Sequence, residues 1–187
     1  GLGEGHSGTV TKTFYDVDGV EQDAYDELTT ERIEVETLIE GEVSREGWSA
    51  TVHRDRSMVI TGHAGEETHR THNGNGTSTT SRSRHTEDGE RTYNMTSSFH
   101  FADVVVPIPG SDPRYPVSGT ISRSMTGIRT DANGTRTRSM EMTTTFDGDD
   151  TAIAVVNGEE FEIDLSAPKG RKPWKGKGPG DRRRQRR

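Results

Sequence analysis

Polar and apolar residues alternate with a period of two along most of this chain, the spacing of strands that turn one face to a core and the other to water. Between Glu31 and Val43, Ile33, Val35 and Ile39 alternate with Glu34, Glu36 and Glu40. Between Trp48 and Gly62, the residues Trp48, Ala50, Val52, Arg54, Arg56, Met58 and Ile60 fall on one side. The same rhythm puts Tyr93, Met95, Phe99 and Phe101 together between Glu90 and Val106. It aligns Val117, Ile121, Arg123 and Met125 between Pro116 and Thr130, and Arg136, Arg138, Met140, Met142 and Phe146 between Thr135 and Phe146. Thr9 to Tyr15 and the segment Thr151 to Leu165, folded across Asn157-Gly158, complete the set. A polar strand from Glu66 to Arg84 is interrupted by Asn73-Gly74-Asn75-Gly76, which reads as a bulge. One stretch, Glu21 to Ile33, lacks Gly and Pro and spaces Ala24, Tyr25 and Leu28 as a short helix would.

These elements predict an all-β antiparallel meander of about eight to nine long strands, with at most one short helix. The expected form is a strongly twisted sheet, curved or open and barrel-like. A β-sandwich is the alternative, and it asks for more apolar residues than this pattern supplies.

The chain also repeats itself. At an offset of 45 residues, Gly74 falls on Gly119, Arg84 on Arg129, Gly89 on Gly134, Arg91 on Arg136, Met95 on Met140 and Phe101 on Phe146. Each copy, 74–101 and 119–146, reads as strand, tight turn, strand. Asp88-Gly89 and Asn133-Gly134 are dipeptides that supply positive φ to a two-residue hairpin loop, and Gly158 serves the same purpose near the end of the chain.

Composition sharpens this reading. Only 26% of the 187 residues are hydrophobic, against about 45–50% apolar in ordinary domains, a figure that counts glycine. A sheet with one poorly buried face accommodates so polar a chain. There is no cysteine, which excludes disulfides, iron–sulfur clusters, thiolate zinc sites and a cysteine nucleophile. No apolar run approaches the length of a membrane helix. The net charge of −7 divides unevenly. The tail holds Lys169, Arg171, Lys172, Lys175, Lys177, Arg182, Arg183, Arg184, Arg186 and Arg187 against a single Asp181, leaving the body strongly acidic. The domain plan is therefore a flexible segment over 1–8, one β domain over 9–166 and a disordered basic tail over 167–187.

The alternation yields one candidate ligand face: Trp48, Arg54, Arg56, Met58, Tyr93, Met95, Phe99, Phe101, Arg123, Met125, Arg136, Arg138, Met140 and Met142. Guanidinium forks among aromatic rings and thioethers can take an anion, an acidic polysaccharide or a lipid headgroup. The plainer reading lays these arginines along the sheet, paired with Glu or Asp across strands. The other face is a ladder of hydroxyls, from Ser118 to Thr126 and from Thr135 to Thr145, which fits a solvated β surface. Asp16-Val17-Asp18-Gly19 contains fragments of a calcium loop but lacks its later ligands, so a plain turn is expected. His69 and His72 project to opposite faces of a strand and do not suit a shared metal. No catalytic group, cofactor or metal site is expected.

The stretches TFYDVDGVEQDAYDELTT, GWSATVHR, SRSRHTEDGERTY and VVVPIPGSDPRYPVSGTISR resemble a group of uncharacterised bacterial exported or lipoprotein-like proteins, β-rich and without assigned activity. The resemblance covers residues 9–165 and leaves out the tail. It implies an extracellular or cell-envelope setting and carries over no functional residue. The expectation is a non-enzymatic exported protein, structural, self-assembling or binding, that associates through edge strands or the basic tail. The alternative is a periplasmic carrier of a lipid or hydrophobic anion on the Trp/Met/Phe/Arg face. Nucleic acid is expected only at the tail.

Overall fold

The computed structural model describes residues 5–167. They form ten strands: β1 His6–Tyr15, β2 Glu21–Gln22, β3 Arg32–Arg45, β4 Trp48–Thr61, β5 His69–Thr86, β6 Gly89–Pro107, β7 Ser118–Asp131, β8 Gly134–Phe146, β9 Thr151–Val156 and β10 Glu159–Asp164. All join one antiparallel sheet in the order β10-β9-β8-β7-β6-β5-β4-β3-β1-β2. The meander is present, with no helix among the described residues. The sheet is a single open layer whose extensive strand–strand contacts are between sheet neighbours.

Short connections set the register. Arg45 pairs Trp48, Thr86 pairs Gly89, Asp131 pairs Gly134 and Val156 pairs Glu159, so two residues close each of these hairpins. At the last one, Asn157 and Gly158 carry φ of 50° and 83°, the doubly positive turn that suits strand twist. The repeat hairpins differ from expectation by one residue. Their loops are Glu87-Asp88 and Ala132-Asn133, with Gly89 and Gly134 opening the next strand at φ 111° and 102°. Asp131 shows why: its Oδ1 accepts the Asn133 amide at 2.9 Å and fixes the turn one position earlier.

The helical stretch instead forms β2 and a carboxylate-capped turn. Asp26 Oδ1 accepts the amides of Leu28 and Thr29 at 2.8 and 3.0 Å. Leu28 is 76% exposed, so a helix there would have no core to pack against, and local bonding decides. Strand β1 starts at His6, ahead of the expected boundary at Thr9.

The core is small and sits at one end of one face. Val104, Phe146 and Ala152 are buried, with Phe101, Val106, Ile121, Ile163 and Leu165 packed against them. Met58 and Ala154 are buried as well. The expected irregularity in β5 is real: register slips between His72 and Gly74, and again in β6 between Ala102 and Val105. The two slips lock together, since Asn73 Nδ2 donates to Asp103 Oδ1 at 3.0 Å and the Asp103 amide donates to Asn73 Oδ1 at 2.8 Å. With so few buried side chains, hydrogen-bonded ladders and cross-strand pairs carry most of the structure.

Candidate anion-binding face

Directly opposed residues in antiparallel strands share a face, so the ladder assigns every side chain. One row across the sheet runs Thr37, Arg56, Gly76, Phe99, Arg123, Met142. The next runs Ile39, Arg54, Ser78, Ser97, Met125, Met140. Toward the tight hairpins lie Gly41, Val52, Thr80, Met95, Gly127, Arg138 and then Val43, Ala50, Arg82, Tyr93, Arg129, Arg136. The last row is Arg45, Trp48, Arg84, Arg91. In the opposite direction, Val35, Met58, Gly74, Phe101, Ile121 and Thr144 lead into the core. Every residue of the candidate ligand face named from the sequence lies in these rows, on one side of the sheet. Arg45, Arg82, Arg84, Arg91 and Arg129 join them. The alternation carries the signal for these five as well, once strands run uninterrupted into two-residue turns.

Acids occupy the other side. Opposed to neither core nor arginines, Glu34, Glu36, Glu40 and Glu42 of β3, Asp55 of β4 and Glu141 of β8 share that face with the hydroxyl ladder. The hydroxyls touch across strands, Ser122 with Thr143 at 3.4 Å and Thr130 with Thr135 at 2.9 Å. The expected pairing of the arginines with strand acids is therefore corrected: the period of two separates them through the thickness of the sheet. Among the described residues the ion pairs are Arg32–Glu34 at 3.5 Å, His53–Glu40 at 3.2 Å and Arg129–Asp131 at 2.7 Å. Only the last lies on the arginine face. Asp131 and Glu159 are that face's strand acids, both at its margins.

The middle of the face is recessed. Gly76 is buried, and a Cβ there would stand 2.6 Å from Phe99 Cε1 and 2.7 Å from the Asp55 carbonyl oxygen. The missing side chain lets the Phe99 ring lie down across β5. The Arg56 guanidinium sits over that ring, 5.6 Å from its centroid, and Arg123 is directly opposite Phe99 on β7. A cavity of about 510 Å³ opens here, bounded by Arg54, Arg56, Phe99, Arg123, Met125 and Met140. It adjoins a second hollow of about 300 Å³ walled by Val43, Trp48, Ala50 and Val52. Ile39 and Arg54 line both. Guanidinium groups flanking an aromatic floor next to an apolar trough can hold an anionic head and an apolar body side by side.

The field of these cations reaches the core end. His72 opposes Ile60 on the same face, and its pKa is held below the usual imidazole value, first by burial and then by the charges of Arg56 and Arg70. His63 is lowered by burial, then by Arg70, against the opposing pull of Glu31. No cluster among the described residues has the make-up of a metal site. At the Asp16 turn, Asp16 Oδ1 accepts the amides of Asp18 and Val20 at 3.0 and 2.8 Å, so the turn itself uses the carboxylate. The candidate assembly tail, Lys169 to Arg187, lies outside the described residues. No helix of the described residues is long and apolar enough to cross a membrane.

No protein-family model, curated protein or solved structure matches this chain.

Proposed function

We propose that this domain is a non-enzymatic binding module of the cell envelope that takes a hydrophobic anion on its arginine face. The head of the ligand sits between Arg56 and Arg123 over Phe99. Its apolar body lies along Ile39, Val43, Trp48 and Val52. One observation carries the reading: the ladder gathers arginines, aromatics and methionines on one side, where the strand acids are Asp131 and Glu159 at the margins, while the other strand acids lie on the opposite side. Uncompensated cations beside a recess of ligand size favour an anionic occupant.

The test is titration with laurate and dodecyl sulfate, followed by Trp48 fluorescence in a Trp174→Phe background and by calorimetry, with dodecyl maltoside as the uncharged control. Both anions should bind and the maltoside should not. Arg56→Gln with Arg123→Gln should weaken the anions on the order of tenfold, the scale of two exposed charge contacts. Equal binding of the neutral detergent, or no effect of the double substitution, refutes the assignment. Native mass spectrometry of protein from its own host should show a co-purified anionic amphiphile.

A second reading, self-association, is favoured by one specific observation. Strand β2 covers β1 only at Phe14 and Tyr15, which leaves the outer edge of β1 from His6 to Thr13 without a strand partner among the described residues. Its one strongly charged side chain is Lys12, and Val10 is 63% exposed, so this edge is open to pairing with a second copy. Light scattering at low and high salt tests it, and a monomer at high protein concentration in both refutes it.

A further inference from the structure

The hairpin end of the arginine face has a property that the recess does not explain. Arg84 stands directly opposite Arg91, and Arg129 directly opposite Arg136. Like charges at directly opposed positions work against a sheet. The repeat places the same pair in both copies, since Arg84 and Arg91 correspond to Arg129 and Arg136 at an offset of 45 residues. All four side chains are exposed. Asp131 is bonded to Arg129 at 2.7 Å and is the only acid of these rows. Asp131, which also feels the charge of Arg91, offsets one of the four charges, and the rest of this twice-repeated departure from local pairing rules is left without an opposing strand acid.

Aromatic rings punctuate the same rows. Trp48 lies between Arg45 and Arg84, and Tyr93 lies between Arg82 and Arg129. Both rings are 37% exposed, open enough to present a face to a ligand. Their flanking arginines are two strands apart, roughly 9.6 Å at the usual strand spacing. That interval is close to one disaccharide of an extended glycan. Phosphates in a nucleic acid crowd more closely, about 3.4 Å apart per strand along a duplex axis. Sugar rings lie flat on Trp and Tyr, while carboxylates or sulfates meet guanidinium forks two hydrogen bonds at a time.

We infer that the hairpin end of this face binds an extended acidic polysaccharide, with its chain running across the strands over Trp48 and Tyr93. The acidic groups engage Arg45 and Arg84 in one row and Arg82 and Arg129 in the next, with Arg91 and Arg136 holding the polymer beyond them. This site shares Trp48 with the apolar trough beside the recess but differs from the Arg56–Phe99–Arg123 recess in its arginines and in its ligand, so either assignment can fail without the other.

The test uses the full chain. Polygalacturonate and heparin serve as carboxylated and sulfated probes, neutral dextran as the uncharged control and oligo(dT) as the nucleic-acid arm. Affinity is measured over a salt series. The comparison variant is Arg84→Gln/Arg91→Gln/Arg129→Gln/Arg136→Gln, with circular dichroism and a melting curve as evidence of an intact sheet. Arg56→Gln/Arg123→Gln is the second comparison. Both acidic glycans should bind the parent and dextran should not. The fourfold variant should lose on the order of tenfold or more in affinity at low salt. Its log–log salt slope should flatten by roughly 0.7 for each arginine–anion pair removed, the value known for single-stranded polyanions. The recess variant should bind both glycans as the parent does. Unchanged glycan binding by the folded fourfold variant would place the polymer on the C-terminal cations and overturn the inference. So would tighter binding of oligo(dT) than of either glycan, or no glycan binding by the parent. If the fourfold variant does not fold, the pairwise variants Arg84→Gln/Arg91→Gln and Arg129→Gln/Arg136→Gln must each weaken binding, and the inference fails if neither does.

Discussion

Replacing one arginine of each opposed pair should make this protein more stable, which is the reverse of what most substitutions do. The perturbation is Arg84→Thr with Arg136→Thr. Arg136 is chosen over Arg129 because Arg129 holds Asp131 at 2.7 Å. Two unit charges 4 Å apart in water repel by about 1 kcal/mol. Splayed, exposed guanidinium heads feel less, in keeping with the range of roughly 0.2–1 kcal/mol for a directly opposed pair. The pairs lie on separate hairpins, so their effects should add, and the double variant should gain about 0.4–2 kcal/mol. For a domain of this size, that is a rise in melting temperature of roughly 1–8 °C. Threonine also favours strands, so Arg54→Thr serves as the control: Arg54 faces Ile39 and Ser78, not another arginine. The assay is thermal melting from 10 mM to 1 M NaCl. The gap between the double variant and the parent should narrow with salt as the repulsion is screened within about 3 Å at 1 M. A variant less stable than its parent at low salt, a gap indifferent to salt, or an equal gain in Arg54→Thr would refute the claim that the arginines repel one another.

Three further outcomes follow from the geometry. Gly76→Ala should cost about 1–3 kcal/mol, since the new Cβ collides with the Phe99 ring and the Asp55 backbone; denaturant melts measure it, and laurate binding should be lost with the floor of the recess. Gly134→Val should cost about 1–3 kcal/mol because φ is 102° there, whereas no loss on chemical denaturation would contradict the turn. His63 and His72 both have pKa values lowered by burial. Such groups bind fewer protons when folded, so stability is full above the ordinary imidazole value of 6.5 and declines as pH falls below it. Melting temperature should drop between pH 7.5 and pH 5, and His72→Gln should shrink that drop.

Much of this architecture is legible in the sequence because the period of two survives over long strands and short turns preserve phase. Trp48 to Ile60 keeps one face throughout, and the ladder agrees residue by residue. The arginine face follows from the same alternation. What the alternation hides is which groups oppose each other, because opposition depends on where each turn starts. Shifting the loop from Asp88-Gly89 to Glu87-Asp88 is what places Arg84 against Arg91. The separation of acids from arginines also emerges only when β3 and β4 are laid together: Glu40 is next to Ile39 in sequence but on the far side of the sheet from Arg54. The stretch around Ala24 to Leu28 shows the limit of periodicity, since a helical spacing without a core to face yields to the bonding of Asp26.

Because every strand is hydrogen-bonded only to its sheet neighbours and β10 does not pair with β2, the chain is wired like a zipper. A barrel that loses one strand breaks two seams, but this sheet can shed an outer strand by opening one. The free energy of opening should therefore climb from the margins inward, with amides of β5 and β6 exchanging hydrogen last and those of β2 and β10 first. Such a molecule should open through partly peeled forms before it melts. A polymer lying across the strands would stitch its seams together and turn those openings into a single event.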